Sequence, residues 1–182
     1  MGMTGGNTFE TLISREELQA KTETLGAEIT RDYSGRDLVV VGVLTGAYVF
    51  LADLLRCIDL PLELDFVAVS SYGAATRSTG EVRLLKDLGH PIDGKDVLVV
   101  EDIIDTGLTL RYLLETLRAR RPATLETCVL LDKPTRRVVD VDVKYRGFEI
   151  EDRFVVGYGL DYAGRFRNLP YIGVPTEELT VG

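Results

Sequence analysis

Three carboxylates and two threonine hydroxyls lie within nine residues at Glu101-Asp102-Ile103-Ile104-Asp105-Thr106-Gly107-Leu108-Thr109. The run before them, Val97-Leu98-Val99-Val100, has the continuous apolar character of a strand covered on both faces, so it delivers the acids to one edge of a sheet. Paired acids at such an edge can meet sugar hydroxyls or a divalent cation, and the next carboxylate along can move a proton. The Thr-Gly-x-Thr turn that follows is small, polar and phosphate-sized, and it opens a helical pattern. The free amides and positive dipole end of a helix start favour an anion by up to about 2 kcal/mol. Gly107 lets the backbone approach that anion closely. Asp-Thr-Gly alone reads equally well as a strand–turn–helix connection with an aspartate cap. The full string reads as a place where a sugar phosphate and a metal ion both sit.

The elements that must hold this segment are legible around it. Ser14 and Glu17 form a capping box ahead of Leu18, Leu25 and Ile29, which predicts a helix to about Tyr33. Residues 38–44 read as a buried strand, 47–57 as a helix, 64–70 as the next strand and 81–86 as a strand returning from the loop at 71–80. That loop is small and polar throughout and is expected to be mobile. Leu110, Leu113, Leu114 and Leu117 mark a helix face that ends near Arg120, before Pro122, and 125–131 is a further buried strand. Strands alternating with helices predict an α/β fold, a central parallel sheet with helices on both faces. From Asp132 onward, short β-like pieces at 154–156 and 171–174 alternate with charged turns and predict a small hood lobe beside the sheet. The expectation is a single domain over 1–182, with its core at about 28–131 and the hood at about 132–170 together with the N-terminal segment. Residues 1–8 are expected to be a disordered start.

The net charge of −8 argues against a nucleic-acid partner, because neutralising a phosphate backbone takes a basic face. No stretch reaches the ~18 apolar residues of a membrane span and no signal peptide is visible, which gives the expectation of a soluble, cytoplasmic protein with no membrane partner. Cys57 and Cys128 lie far apart in apolar surroundings and read as small buried hydrophobes. The only histidine, His90, sits in a Gly-His-Pro turn, so a carboxylate is the better acid or base. Taken singly, Lys133 reads as a solvated lysine, Phe154 as core, and Arg136-Arg137 as a solvated turn.

The string Val-Val-Glu-Asp-Ile-Ile-Asp-Thr-Gly-x-Thr resembles the phosphoribosyl-pyrophosphate motif of the type I phosphoribosyltransferases. Val43-Leu44-Thr45-Gly46-Ala47, Ser70-Ser71-Tyr72-Gly73, Leu131-Asp132-Lys133-Pro134 and the block at 147–162 narrow the resemblance to the hypoxanthine-guanine family of purine salvage, over residues 28–175. The resemblance implies transfer of a phosphoribosyl group from phosphoribosyl pyrophosphate to a 6-oxopurine, hypoxanthine or guanine, with Mg2+ as cofactor and a homodimer or homotetramer as the assembly. It implies that Asp105 is the acid or base near purine N7, and that Glu101 and Asp102 meet the ribose hydroxyls directly or through magnesium. Asp105, Thr106, Gly107, Leu108 and Thr109 would cradle the 5′-phosphate. Lys133 would donate to O6, Phe154 would stack on the base and Val155 would offer backbone contacts to its edge. Asp161 would hold magnesium on the pyrophosphate, Arg167 would contact that pyrophosphate, and Thr45 and Gly46 would form the pyrophosphate loop. Ser71 and Tyr72 would belong to a lid. The chain departs from the family at Thr45, where a lysine or another polar residue is usual, so backbone amides meet the pyrophosphate there without a side-chain charge. The family's loop also carries a cis non-proline peptide, expected between Leu44 and Thr45.

Other readings compete. A non-catalytic sensor on the same fold should carry a nucleic-acid face or a helix-turn-helix, against which the acidic charge speaks. An aspartic protease could use Asp-Thr-Gly, but such dimeric proteases are all-β and here a leucine-striped helix follows. Xanthine could replace guanine as the purine. Adenine is disfavoured, because Lys133 offers only donors and needs an acceptor opposite it.

Overall fold

The computed structural model describes residues 8–71 and 82–177. The elements run β1 (Phe9–Ile13), α1 (Arg15–Asp32), β2 (Leu38–Leu44), α2 (Tyr48–Cys57), β3 (Glu63–Ser71), β4 (Val82–Lys86) and β5 (Asp96–Ile104). Then follow α3 (Leu108–Arg118), β6 (Thr124–Asp132), a 3-10 turn at Pro134–Arg136, β7 (Tyr145–Glu149) and β8 (Ile172–Pro175). The main sheet has the order β4-β3-β2-β5-β6-β7, and β1 pairs with β8 in a second, two-stranded sheet. Neighbours from β3 to β7 are parallel. The edge strand β4 is antiparallel to β3 and so departs from an all-parallel sheet. The reason is the length of its connection: only ten residues separate Ser71 from Val82, fewer than the dozen or more that a parallel crossover takes, whereas antiparallel neighbours can be joined by a short return.

Two-sided burial explains the apolar runs. Val40, Leu98 and Val100 pack beneath Leu18, Leu25 and Ile29 of α1 and Phe50, Leu51 and Leu54 of α2. Val39, Val41, Val97 and Val99 point the other way, onto Leu110, Leu113 and Leu117 of α3. Successive strand residues face opposite sides, so a strand covered on both faces is apolar at every position. The capping box at the start of α1 forms as expected. The Glu17 amide donates to Ser14 Oγ at 3.2 Å, and the Ser14 amide to Glu17 Oε2 at 2.8 Å.

The second sheet sits beside residues 154–173. Val156 bridges Gly173, Phe9 meets Phe166 edge-on at 5.1 Å, and Arg153 reaches Glu10 at 3.1 Å. Thr8, expected in a disordered start, instead accepts a hydrogen bond from the Thr176 amide at 3.1 Å, because the β1–β8 ladder extends to it. The expected mobile loop and the lid residue Tyr72 lie outside the described residues, as does the side chain of Ser71. Cys57 is half-buried and Cys128 buried, both as free thiols. Among the described residues no helix is long and apolar enough to cross a membrane.

Candidate active site

The order of the main sheet reverses between β2 and β5: β3 adds outside β2, and β6 outside β5. Open α/β sheets bind ligands at such a point, beyond the strand ends. Here β2 stops pairing with β5 at Gly42↔Val100, whereas β5 continues against β6 to Ile104↔Asp132. Glu101 and Asp102 are therefore strand residues, not residues beyond the strand end, because β6 keeps pairing alongside them. They border the gap that β2 has left. A cavity of about 410 Å3 opens there, and its walls include Glu101, Asp102, Asp105, Thr109, Asp161 and Arg167. A larger cavity of about 630 Å3 lies behind Arg167, among Arg15, Tyr48, Asp53 and Tyr158, and has none of the three acids on its walls. The smaller cavity is the one with chemistry.

Both acids of the pair are buried. Burial, with the Asp102 charge beside it, holds the Glu101 carboxyl well above the usual range. Burial raises Asp102 too, against hydrogen bonds from Glu101 and from the Ile103 amide (2.8 Å) and against the Arg167 charge, all of which lower it. Two acids held this way favour positive charge brought into the crevice. Gly46 lies against them: a Cβ there would stand 1.6 Å from Asp102 Oδ2 and 2.6 Å from its Cγ, so any side chain at this position displaces the buried Asp102 carboxylate. The Leu44–Thr45 peptide just before it is cis, as expected.

The turn into α3 has the form of an anion site. Gly107 takes φ +84°, and a Cβ on it would meet Val139 O at 2.8 Å. The N-cap Gly107 makes no side-chain hydrogen bond, and the first helical amide, Leu108, makes only a long one to Thr106 Oγ1 at 3.4 Å, so the helix start can turn to a ligand. Thr106 and Thr109 are half-buried at its mouth, while the Leu108 side chain points to solvent.

The residues expected to meet a base, Lys133, Phe154 and Val155, follow β6 and lie outside the lining of the 410 Å3 cavity. Lys133 is not solvated: it is 7% exposed, its amide donates to Ile104 O at 3.0 Å, and its Nζ lies 3.7 Å from Asp152 Oδ1. Phe154 is not core: it is 52% exposed and meets Tyr162 edge-on at 5.8 Å. Val155 beside it is buried. Asp161 and Arg167 form an ion pair at 2.8 Å, and Arg167 Nη1 donates to Gly159 O at 2.6 Å.

Arg136 is exposed on its turn, as read from the sequence, but it is not without a partner, and Arg137 is largely buried. Arg136 pairs with Asp105 at 3.0 Å. Arg137 pairs with Asp132, a buried acid that Arg146 also meets at 2.7 Å, and its aliphatic stem packs under Gly107. Charge type alone could not reveal these partners. One signal was available: parallel neighbours end at the same sheet edge, so basic residues following β6 face acids following β5.

Glu101, Asp102 and Asp161 are hard oxygen donors on one cavity wall, which suits magnesium. Among the described residues no group of three His, Cys, Asp or Glu side chains could hold a metal ion. The donor set therefore fits an ion that keeps waters and brings phosphate ligands with it, rather than a cage made wholly of protein.

Residues 14–163 match the family model of the phosphoribosyl transferase domain. The chain is 54% identical, over 90% of its length and 91% of the relative's, to a hypoxanthine-guanine phosphoribosyltransferase of Bacillus subtilis (strain 168). A solved hypoxanthine phosphoribosyltransferase of Staphylococcus aureus is 51% identical with a TM-score of 0.88, covering 91% of this chain and 90% of that one. A hypoxanthine phosphoribosyl transferase of Trypanosoma cruzi is 40% identical with a TM-score of 0.88, covering 96% and 94%. The chain belongs to the hypoxanthine-guanine phosphoribosyltransferase family, enzymes of purine salvage.

Proposed function

We propose that the chain transfers the phosphoribosyl group of phosphoribosyl pyrophosphate to hypoxanthine or guanine, forming IMP or GMP and releasing pyrophosphate. A bond forms between purine N9 and ribose C1′ as the bond from C1′ to the pyrophosphate oxygen breaks. Positive charge develops on the sugar ring, and Glu101 and Asp102 lie on the wall where that ring would sit. The first amides of α3, with Thr106, Gly107, Leu108 and Thr109, hold the 5′-phosphate. Asp105 takes the N7 proton as N9 attacks. Lys133 donates to O6, Phe154 stacks on the ring and the Val155 backbone meets its edge. Arg167 and the Thr45-Gly46 loop receive the pyrophosphate. Glu101, Asp102 and Asp161 would hold a magnesium ion, whose charge would neutralise the leaving pyrophosphate.

The observation that carries this reading is the single cavity that gathers the acid pair, the phosphate turn and the Asp161–Arg167 pair. The working form proposed is a cytoplasmic homodimer or homotetramer, which sedimentation of the purified protein distinguishes. The decisive experiment incubates the protein with phosphoribosyl pyrophosphate, magnesium and each of hypoxanthine, guanine, xanthine and adenine. IMP and GMP are expected, with little AMP, and excess chelator abolishes both. Failure to form any nucleotide, or efficient AMP formation, overturns the substrate assignment.

A further inference from the structure

Arg136 and Asp152, two residues the reaction outlined above does not use, link two that it does. Arg136 lies between two carboxylates, its Nε 3.0 Å from Asp105 Oδ1 and its Nη1 3.6 Å from Asp152 Oδ2. Asp152 in turn lies 3.7 Å from Lys133 Nζ. The chain of charges Asp105–Arg136–Asp152–Lys133 joins the acid that faces N7 to the lysine that faces O6. The backbone keeps it in register. The Arg136 amide donates to Lys133 O at 3.1 Å, and the Val138 and Val139 amides donate to Thr106 O at 2.9 and 3.2 Å. The segment carrying Arg136 is thereby pinned to the turn carrying Asp105.

We propose that Arg136 is a positioning residue for the transfer, a role that rests on the assignment of Asp105 and Lys133 above. Its guanidinium fork holds the Asp105 carboxylate toward purine N7 and, through Asp152, sets it in register with Lys133. One residue thus aligns the two groups that read adjacent positions of the same base.

The side chains of Asp105, Arg136 and Asp152 are 42%, 49% and 51% exposed. Pairs this exposed contribute little to the stability of the free protein. A base that excluded water from these pairs would strengthen them. The network therefore acts when the base is bound. Arginine suits this position because its fork serves both carboxylates at once, whereas a lysine ammonium is a point charge that serves them in turn. Without the fork, the half-exposed Asp105 side chain is free to change rotamer.

The test is steady-state kinetics on the full chain for wild type, R136Q, R136K, D105N and the D105N/R136Q double variant, with hypoxanthine as acceptor. R136Q should lower kcat by about tenfold, since displacing a catalytic group by ~1 Å can cost up to 10²-fold, and leave KM for phosphoribosyl pyrophosphate unchanged. R136K should fall between R136Q and wild type. The ligand-free R136Q protein should melt within about 2 °C of wild type, as expected for a surface pair. In the D105N background, R136Q should cost nothing further. Wild-type kcat in R136Q, or an undiminished loss in the D105N background, overturns the proposal for Arg136 alone. Normal turnover in D105N instead overturns the assignment of Asp105 on which it rests.

Discussion

At the end of the crevice proposed for ribose and phosphate, Glu101 and Asp102 are buried within β5, and a side chain on Gly46 would meet the Asp102 carboxylate and one on Gly107 the Val139 carbonyl. At the end proposed for the base, Asp105, Arg136 and Asp152 are half-exposed on turns and hold one another through ion pairs. The first end is set by main chain: strand register, a helix start and two close backbone approaches. The second is set by side chains and needs the ligand to exclude water before its charges count fully. Substitutions at the first end should damage the fold and ligand binding together. Those at the second should change turnover or base affinity while the fold survives.

The largest expected effect tests the base end. Asp105→Asn keeps the shape and removes the proton acceptor, so kcat should fall by about 10²-fold or more, with phosphoribosyl-pyrophosphate binding by calorimetry unchanged. Collapse of that binding would erase the contrast between the two ends. Gly46→Ala sets a methyl against the Asp102 carboxylate, and urea titration should show a loss of about 1–3 kcal/mol together with loss of phosphoribosyl-pyrophosphate affinity. Unaltered stability would mean that the loop is not fixed by packing. Lys133→Met should raise KM for hypoxanthine by about tenfold, the equivalent of one lost charged hydrogen bond, with little change in melting temperature.

The smallest effect lies away from both ends. Tyr145 OH donates to Asp32 Oδ2 at 2.9 Å, and that bond is the main cause holding the Asp32 carboxyl below its usual range. Tyr145→Phe should cost about 1 kcal/mol at pH 7. A carboxyl depressed in the folded state stabilises above its unfolded pKa of about 3.9 and loses that contribution as pH falls through the folded value. The gap between wild type and variant should narrow below about pH 4, and a constant gap in acid would assign the loss to packing.

The sequence exposed the ribose and phosphate end well because that end is local. Val97 to Thr109 carries its strand, acids, turn and helix start in one run, and the two-sided burial of β2 and β5 is written in their unbroken apolar residues. The base end was harder to read. Asp105 and Arg136 are 31 residues apart and meet only because β5 and β6 end side by side. Lys133 is buried by neighbours from other segments, so its local context suggests solvent. The antiparallel edge strand β4 follows from a connection through residues of no regular pattern.

The pairing of β1 with β8 joins Phe9 to Pro175, segments from opposite reaches of the chain. Closing so large a loop costs more entropy than forming the neighbouring strands of the main sheet, so this ladder zips late in folding. The strand, turn and helix start at 97–109 can therefore form on the nascent chain well before the ladder that braces residues 154–173 closes. Pulse-labelled hydrogen exchange should find the β1 amides protected last.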